Sequence, residues 1–191
     1  MLYSYVSEFN WVDIIVIILL LRMCYVGVRL GLGIEVFKII NVFFCSFIAL
    51  HFYYACGELL HSLLPPLPVD PAATFSFILL LLIISLMFRV LRDAFFVFFK
   101  RGEAGKTSTL FGGMLGLTRG AAISGLFAFT LLISHNHYLE LSARTSLLGS
   151  QLAKIPIKIY EITFHGVIVK ILPDQDFNTK IVDVFKKKEN K

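Results

Sequence analysis

Charge is what this chain is short of. Asp, Glu, Lys and Arg make up 16% of its 191 residues, where a soluble domain carries about 25%. Tryptophan occurs once, at Trp11. The three cysteines, Cys24, Cys45 and Cys56, have no Cys-x-x-Cys spacing, and their odd number argues against a closed disulfide framework. Cys24 and Cys45 fall in apolar runs, where a thiol behaves as a small apolar group; a bridge from Cys56 is the alternative. Lys and Arg are missing from Met1–Asn10, and no Ala-x-Ala site follows the first apolar run. That run therefore reads as a retained span rather than a cleaved leader. No nucleophile has a base near it, and no paired carboxylates stand at working spacing, so neither an enzyme nor a cofactor is expected. Ser108 and His135 are isolated. His135 and His137 alone make a weak metal site and read as a solvated interface. Gly102-Glu103-Ala104-Gly105-Lys106-Thr107 resembles a phosphate loop, but its first glycine lies too close to its second and no strand precedes it.

What the chain has instead is apolar length. It is 57% hydrophobic, with 19 phenylalanines and a mean hydropathy of +0.79. Phe is favourable at the centre of a spanning helix. One water-soluble core could not hide four such runs, so bilayer is the expected solvent. The predicted spans are about 9–28, 34–54, 72–91 and 110–133, giving an all-α integral membrane bundle of four transmembrane helices (1–134) with an amphipathic helical tail (135–191). Trp11 sits at one interface. Gly31 and Gly33 supply a tight turn. Cys56–Asp70, with Pro65, Pro66 and Pro68, is read as a loop ending in an Asp70 N-cap and Pro71 at the first helical position. Ala94–Phe99 prolongs the third helix, because no breaker intervenes before Gly102; lying along the membrane surface is the alternative. In the tail, Ile155, Ile159 and Ile162 suit a helix face, while Ile155, Ile157 and Ile159 suit a strand face equally well. Interior charges favour a short surface helix over a fifth span. Asp183–Lys191 reads as a charged, frayed end.

The net charge of +5 raises nucleic acid as a partner, but the basic residues fall between apolar runs rather than on one aromatic face, so none is expected. Arg22, Arg29 and Lys38 border the first loop, and Arg89, Arg92, Lys100, Arg101 and Lys106 the third. The N-terminal segment and second loop hold no Lys or Arg. Loops one and three are thus placed in the cytoplasm and both termini outside.

Two patterns carry information about activity. Gly112, Gly116 and Gly120 recur every fourth residue, so on a helix they share a face that lets another backbone come close, a main source of association in lipid. Asp13, Arg22, Glu35 and Arg119 are charges near or inside the bilayer, each costing about 2.5–3.5 kcal/mol at a helix centre. Such groups pair or face a wet cavity. Arg119 is expected to pair with Glu35, with Arg22 nearby. Fixing helix register, lining a polar pathway and plain snorkelling are the three readings of that pair.

The order and spacing of these motifs resemble the colicin V production protein family (CvpA family) of bacterial inner-membrane proteins. Trp11-Val12-Asp13 leads the first span. Arg29 and Gly31-Leu32-Gly33-Ile34-Glu35 follow as an arginine-bearing turn with a glutamate four places after its glycine. Leu110–Gly120 is similar to the family's glycine-spaced fourth helix ending in Arg-Gly. Leu30 and Ile34 stand where the family usually has basic residues. The resemblance implies four transmembrane helices in the inner membrane and an accessory role in bacteriocin production or export and envelope homeostasis, without a catalytic reaction. The expected partners are the lipid bilayer and either further copies of this chain or other envelope proteins. A small transporter or channel subunit is the alternative.

Overall fold

The computed structural model describes residues 9–98, 106–171, 177–179, 181 and 184. Among them there is no strand. The polar linker around Gly102 and the charged end Asp183–Lys191, apart from Val184, lie outside the described residues. Four helices are long and apolar enough to cross a membrane: α1 (Trp11–Leu30), α2 (Leu32–Leu63), α3 (Val69–Phe98) and α4 (Lys106–Ile133). The tail adds α5 (His137–Thr145), α6 (Gly149–Leu152), α7 (Lys154–Thr163), a widened turn at Phe164–Ile168 and α8 (Val169–Ile171).

Asn10 starts α1. Its side chain accepts from Val12 N at 2.8 Å, and Asp13 reaches back to Asn10 N at 3.0 Å. This reciprocal cap satisfies two donors the first turn would otherwise leave open. The break between α1 and α2 is a single residue, Gly31, with φ 75°, a left-handed backbone that glycine adopts without steric cost. Gly33, expected to share that turn, lies inside α2 with nothing within 4 Å of where its Cβ would be. α2 runs on to Leu63 rather than stopping near Tyr54, so the helix absorbs the first half of the expected loop. Cys56–Leu63 contains no proline, and the chain leaves the helix only as it approaches Pro65. α3 begins at Val69, which puts Asp70 in the first turn instead of at the cap. It continues through Phe98, as a prolonged third helix.

α4 is the centre. Of its most apolar 18-residue stretch 67% is buried, against 17–22% for the corresponding stretches of the other three. α1 lies along one side of α4, α2 touches it on another, and α3 packs chiefly on α2 while also reaching α4 through Phe77. The glycines explain the first contact. A Cβ on Gly116 would come within 2.5 Å of the Met23 carbonyl, one on Gly112 within 2.5 Å of the Gly27 carbonyl, and one on Gly120 within 3.1 Å of Met23 Cβ. Gly27 answers from α1: its own Cβ would collide with the Gly112 carbonyl. On the α2–α3 contact, Gly57 does the same against the Ala73 backbone, and Tyr53, Phe77 and Phe129 pack edge-on and tilted beneath it. Outside, Ile83, Leu86 and Val90 of α3 and Ile18 and Leu21 of α1 are all more than half exposed, an apolar surface far larger than water tolerates on a monomer.

The tail folds onto the bundle. Ala143 and Ala153 join Val12 and Val16 of α1 in one core cluster, and Tyr160 and Phe164 join Leu50 and Phe129 in the other. The buried face of α7 is Pro156 and Tyr160, with Ala153 before it and Phe164 after it, not the expected isoleucine face: Ile162 is 72% exposed. The Tyr160 ring offers more area to the bundle than an isoleucine does.

The expected outcome of Gly116→Leu is loss of the α1–α4 contact, since its side chain would meet backbone that cannot yield. Overpacking costs about 1–3 kcal/mol where side chains can move, and more is expected here. Detergent-solubilised protein should melt several degrees lower, whereas Gly33→Ala, in open space within a helix, should not lower the melting temperature.

Candidate functional site

Two buried carboxylates lie toward opposite ends of the bundle. Glu35 stands in the first turn of α2, where the helix dipole favours an anion. It is completely buried. Its Oε1 accepts from Lys38 Nζ at 3.0 Å, and its Oε2 lies 3.0 Å from Arg119 Nη1. The second contact lacks hydrogen-bond alignment, leaving Oε2 held by charge rather than by a directed proton. Arg119 is 5% exposed. Its Nη2 donates weakly to Met23 Sδ at 3.3 Å, and its buried Nε has no partner among the described residues. One anion thus faces two cations, and Arg22 of α1 lines the same groove as Lys38 and Arg119.

Asp13, the other carboxylate, meets no cation among the described residues. Expected among the charges seeking an ionic partner, it is satisfied by hydrogen-bond donors instead. Its Oδ1 accepts from Ser146 Oγ at 2.6 Å and Leu148 N at 2.7 Å; its Oδ2 accepts from Asn10 N at 3.0 Å and Leu147 N at 3.3 Å. Ser146 Oγ in turn accepts from Gly149 N at 2.8 Å. Asn10 extends the junction by donating through Nδ2 to the Ser142 carbonyl at 2.7 Å. A carboxylate surrounded by N–H and O–H donors keeps its charge without a counter-ion. The start of α1 is therefore latched to the turn between α5 and α6.

Of the remaining residues singled out in the sequence, Gly112, Gly116 and Gly120 line the α1–α4 contact, and Gly31 lies against Gly112. Arg29 is exposed, its guanidinium 5.2 Å from the Tyr25 ring centroid. Ser108 Oγ accepts from Leu32 N at 3.0 Å, tying the start of α4 to the start of α2. His135 Nε2 lies 3.0 Å from Asp70 Oδ2 in an exposed pair. Among the described residues, no group of three or more His, Cys, Asp or Glu is placed to hold a metal ion.

One part-buried polar cluster, around the buried Tyr160, was not anticipated from the sequence. His51 Nδ1 lies 2.9 Å from Tyr160 Oη, Tyr160 Oη accepts from Asn178 N at 3.2 Å, and Asn178 Nδ2 donates to the Leu50 carbonyl at 2.9 Å. Burial pushes the Tyr160 phenol up, partly offset by the Asn178 N–H. No short-range pattern marks these residues, which stand 109 and 18 positions apart.

Asp13→Ala should strip Ser146, Leu147 and Leu148 of their acceptor. Unmade buried hydrogen bonds cost about 1–3 kcal/mol each. Limited proteolysis should then cut after Ile133 faster than in the parent, with the four spans intact. Glu35→Gln should be destabilising by about 3–5 kcal/mol, as Arg119 is left buried without its counter-charge. The double variant Glu35→Gln, Arg119→Met should recover much of that loss, giving a strongly non-additive cycle in thermal melts.

Compared with known proteins, residues 12–155 match the family model described as colicin V production protein. Neither the curated proteins nor the solved structures yield a match. The matched stretch runs from the first residues of α1 to within α7 and covers about three quarters of the chain, including both carboxylates, the glycine contact and Arg119. This chain belongs to the colicin V production protein family and is a membrane protein built on four span-like helices.

Proposed function

We propose that the protein is a non-catalytic accessory of the bacterial inner membrane that serves colicin V production or export and envelope homeostasis by binding other envelope components. The observation that carries this reading is the use made of the two buried carboxylates. Glu35 holds α2 to α4 and Asp13 holds the tail to α1; both are committed to structure. A proton or ion pathway would call for carboxylates that change partners across the membrane. The apolar face of α3, with Ile83, Leu86 and Val90 exposed, is the surface this role would use, either for a second copy of the chain or for another envelope protein. The basic ends of α1, α2 and α3 face the cytoplasm and both termini the periplasm, in keeping with the positive-inside rule.

The second reading is a small transporter or channel subunit. It is favoured by the groove of about 870 Å³ that Arg22, Lys38 and Arg119 line. Four helices would need further copies to enclose a path.

A photoreactive residue in place of Val90, activated in intact cells, distinguishes the two. Capture of a distinct envelope protein, lost when Ile83 and Leu86 are changed to Ser, is the expected result. Capture of nothing but lipid, combined with solute flux in liposomes that Arg119→Met abolishes, would replace the accessory role with transport.

A further inference from the structure

The groove has a composition that the accessory role does not use. It runs where α2 and α4 meet, with α1 and α3 contributing its sides. Among the described residues, five cations line it, Arg22, Lys38, Arg89, Arg92 and Arg119, and no carboxylate does. Arg22, Lys38 and Arg89 lie eight, six and nine residues inside the basic ends of their helices, or about 9–13 Å at helical rise. They form one level, not a column through the membrane. Glu35 offsets part of the charge on Arg119 and Lys38, and Asp93 pairs with Arg92 at 2.6 Å. Among the described residues, three positive charges remain uncompensated. Arg22 and Arg89 form no ion pair or hydrogen bond among the described residues, and the buried Nε of Arg119 has no acceptor.

Away from that level the lining becomes apolar, through Ile78, Leu81, Ile123, Leu126, Phe127 and Leu131. The groove is open rather than enclosed, and its rim residue Leu82 is 57% exposed. Its volume, about 870 Å³, falls within the ~300–1,000 Å³ range of ligand sites. A small anion from water would answer the cations and leave the apolar half unfilled. An uncharged lipid would do the reverse.

We propose that this groove binds a lipid with a phosphate monoester head group, its phosphate held among Arg22, Arg89 and Arg119 and its chains along the α2–α4 seam. Basic pockets between transmembrane helices on the cytoplasmic side are suited to acidic head groups. Arginine forks pair with phosphate oxygens in two-point contacts. A monoester carries about −1.5 to −2 at neutral pH, which answers the excess charge better than the single charge of a diester. The assignment depends on the groove alone and stands whichever partner the α3 face takes.

The test uses the full-length protein in phosphatidylcholine nanodiscs containing minor fractions of phosphatidic acid and phosphatidylglycerol, with retained lipid counted by native mass spectrometry. One phosphatidate per chain is expected, retained about tenfold over either other lipid, a difference of about 1.4 kcal/mol. The double variant Arg22→Gln, Arg89→Gln should lose that preference. Both side chains are exposed, so its melting temperature should match the parent's. Arg29→Gln, at the same end but outside the groove, should keep it. Equal retention of phosphatidylglycerol or phosphatidylcholine would overturn the assignment, as would unchanged phosphatidate binding in the double variant. Inorganic phosphate displacing phosphatidate as effectively as a short-chain phosphatidate does would show an anion site and overturn the lipid.

Discussion

Everything in this bundle is placed by the backbone contact between α1 and α4. In lipid, an apolar side chain gains little by leaving one hydrocarbon neighbour for another, so association must come from close van der Waals approach. Gly27, Gly112 and Gly116 remove the side chains that would hold the two backbones apart. The contact fixes α1 on α4, and Gly31, turning in a single residue, then delivers α2 beside them with Glu35 in reach of Arg119. At the other end, the same alignment sets Asp13 beneath the turn that follows α5.

The two carboxylates show different solutions to one electrostatic problem. Removing a charge from water costs several kcal/mol unless its field is answered locally. Glu35 is answered by opposite charge, with two cations sharing one anion. Asp13 is answered by oriented dipoles, among them three backbone N–H groups and one hydroxyl. The first arrangement leaves surplus positive charge that must face something. The second is self-contained. That difference separates the carboxylate whose partners leave positive charge over from the one whose field is met in place.

Much of this was legible in the sequence, and the reasons are physical. Spans announce themselves because about 20 consecutive apolar residues have few other uses. The glycine face follows from a four-residue repeat read on a helix, and the Glu35–Arg119 pairing was expected from two costly charges entering from one side. Gly27 was also within reach, four residues before Gly31, but a glycine within an apolar run reads as neutral without its partner helix. The partners of Asp13 were not legible. Beyond Asn10, they are two backbone amides and a serine more than 130 residues away, and no residue type marks a backbone donor. The buried face of α7 misled for a related reason. Its isoleucines had better periodicity, but the bundle offered a place shaped for Pro156 and Tyr160. The end of α2 was misplaced because aromatic residues at Phe52–Tyr54 look like an interface, whereas here Tyr53 is core.

The Asp13 junction has a consequence for how the molecule is made. A ribosome delivers the chain N-terminus first, so Asp13 is threaded into the bilayer well before Ser146 exists. Until then its carboxylate has only Asn10 to answer it and must stay hydrated. The clasp closes only when all four crossings are complete and the tail has emerged on the same face as the start of the chain. A nascent polypeptide missing one crossing presents its tail to the wrong compartment and leaves Asp13 unclasped, so the junction distinguishes finished topology from unfinished before the protein meets any partner.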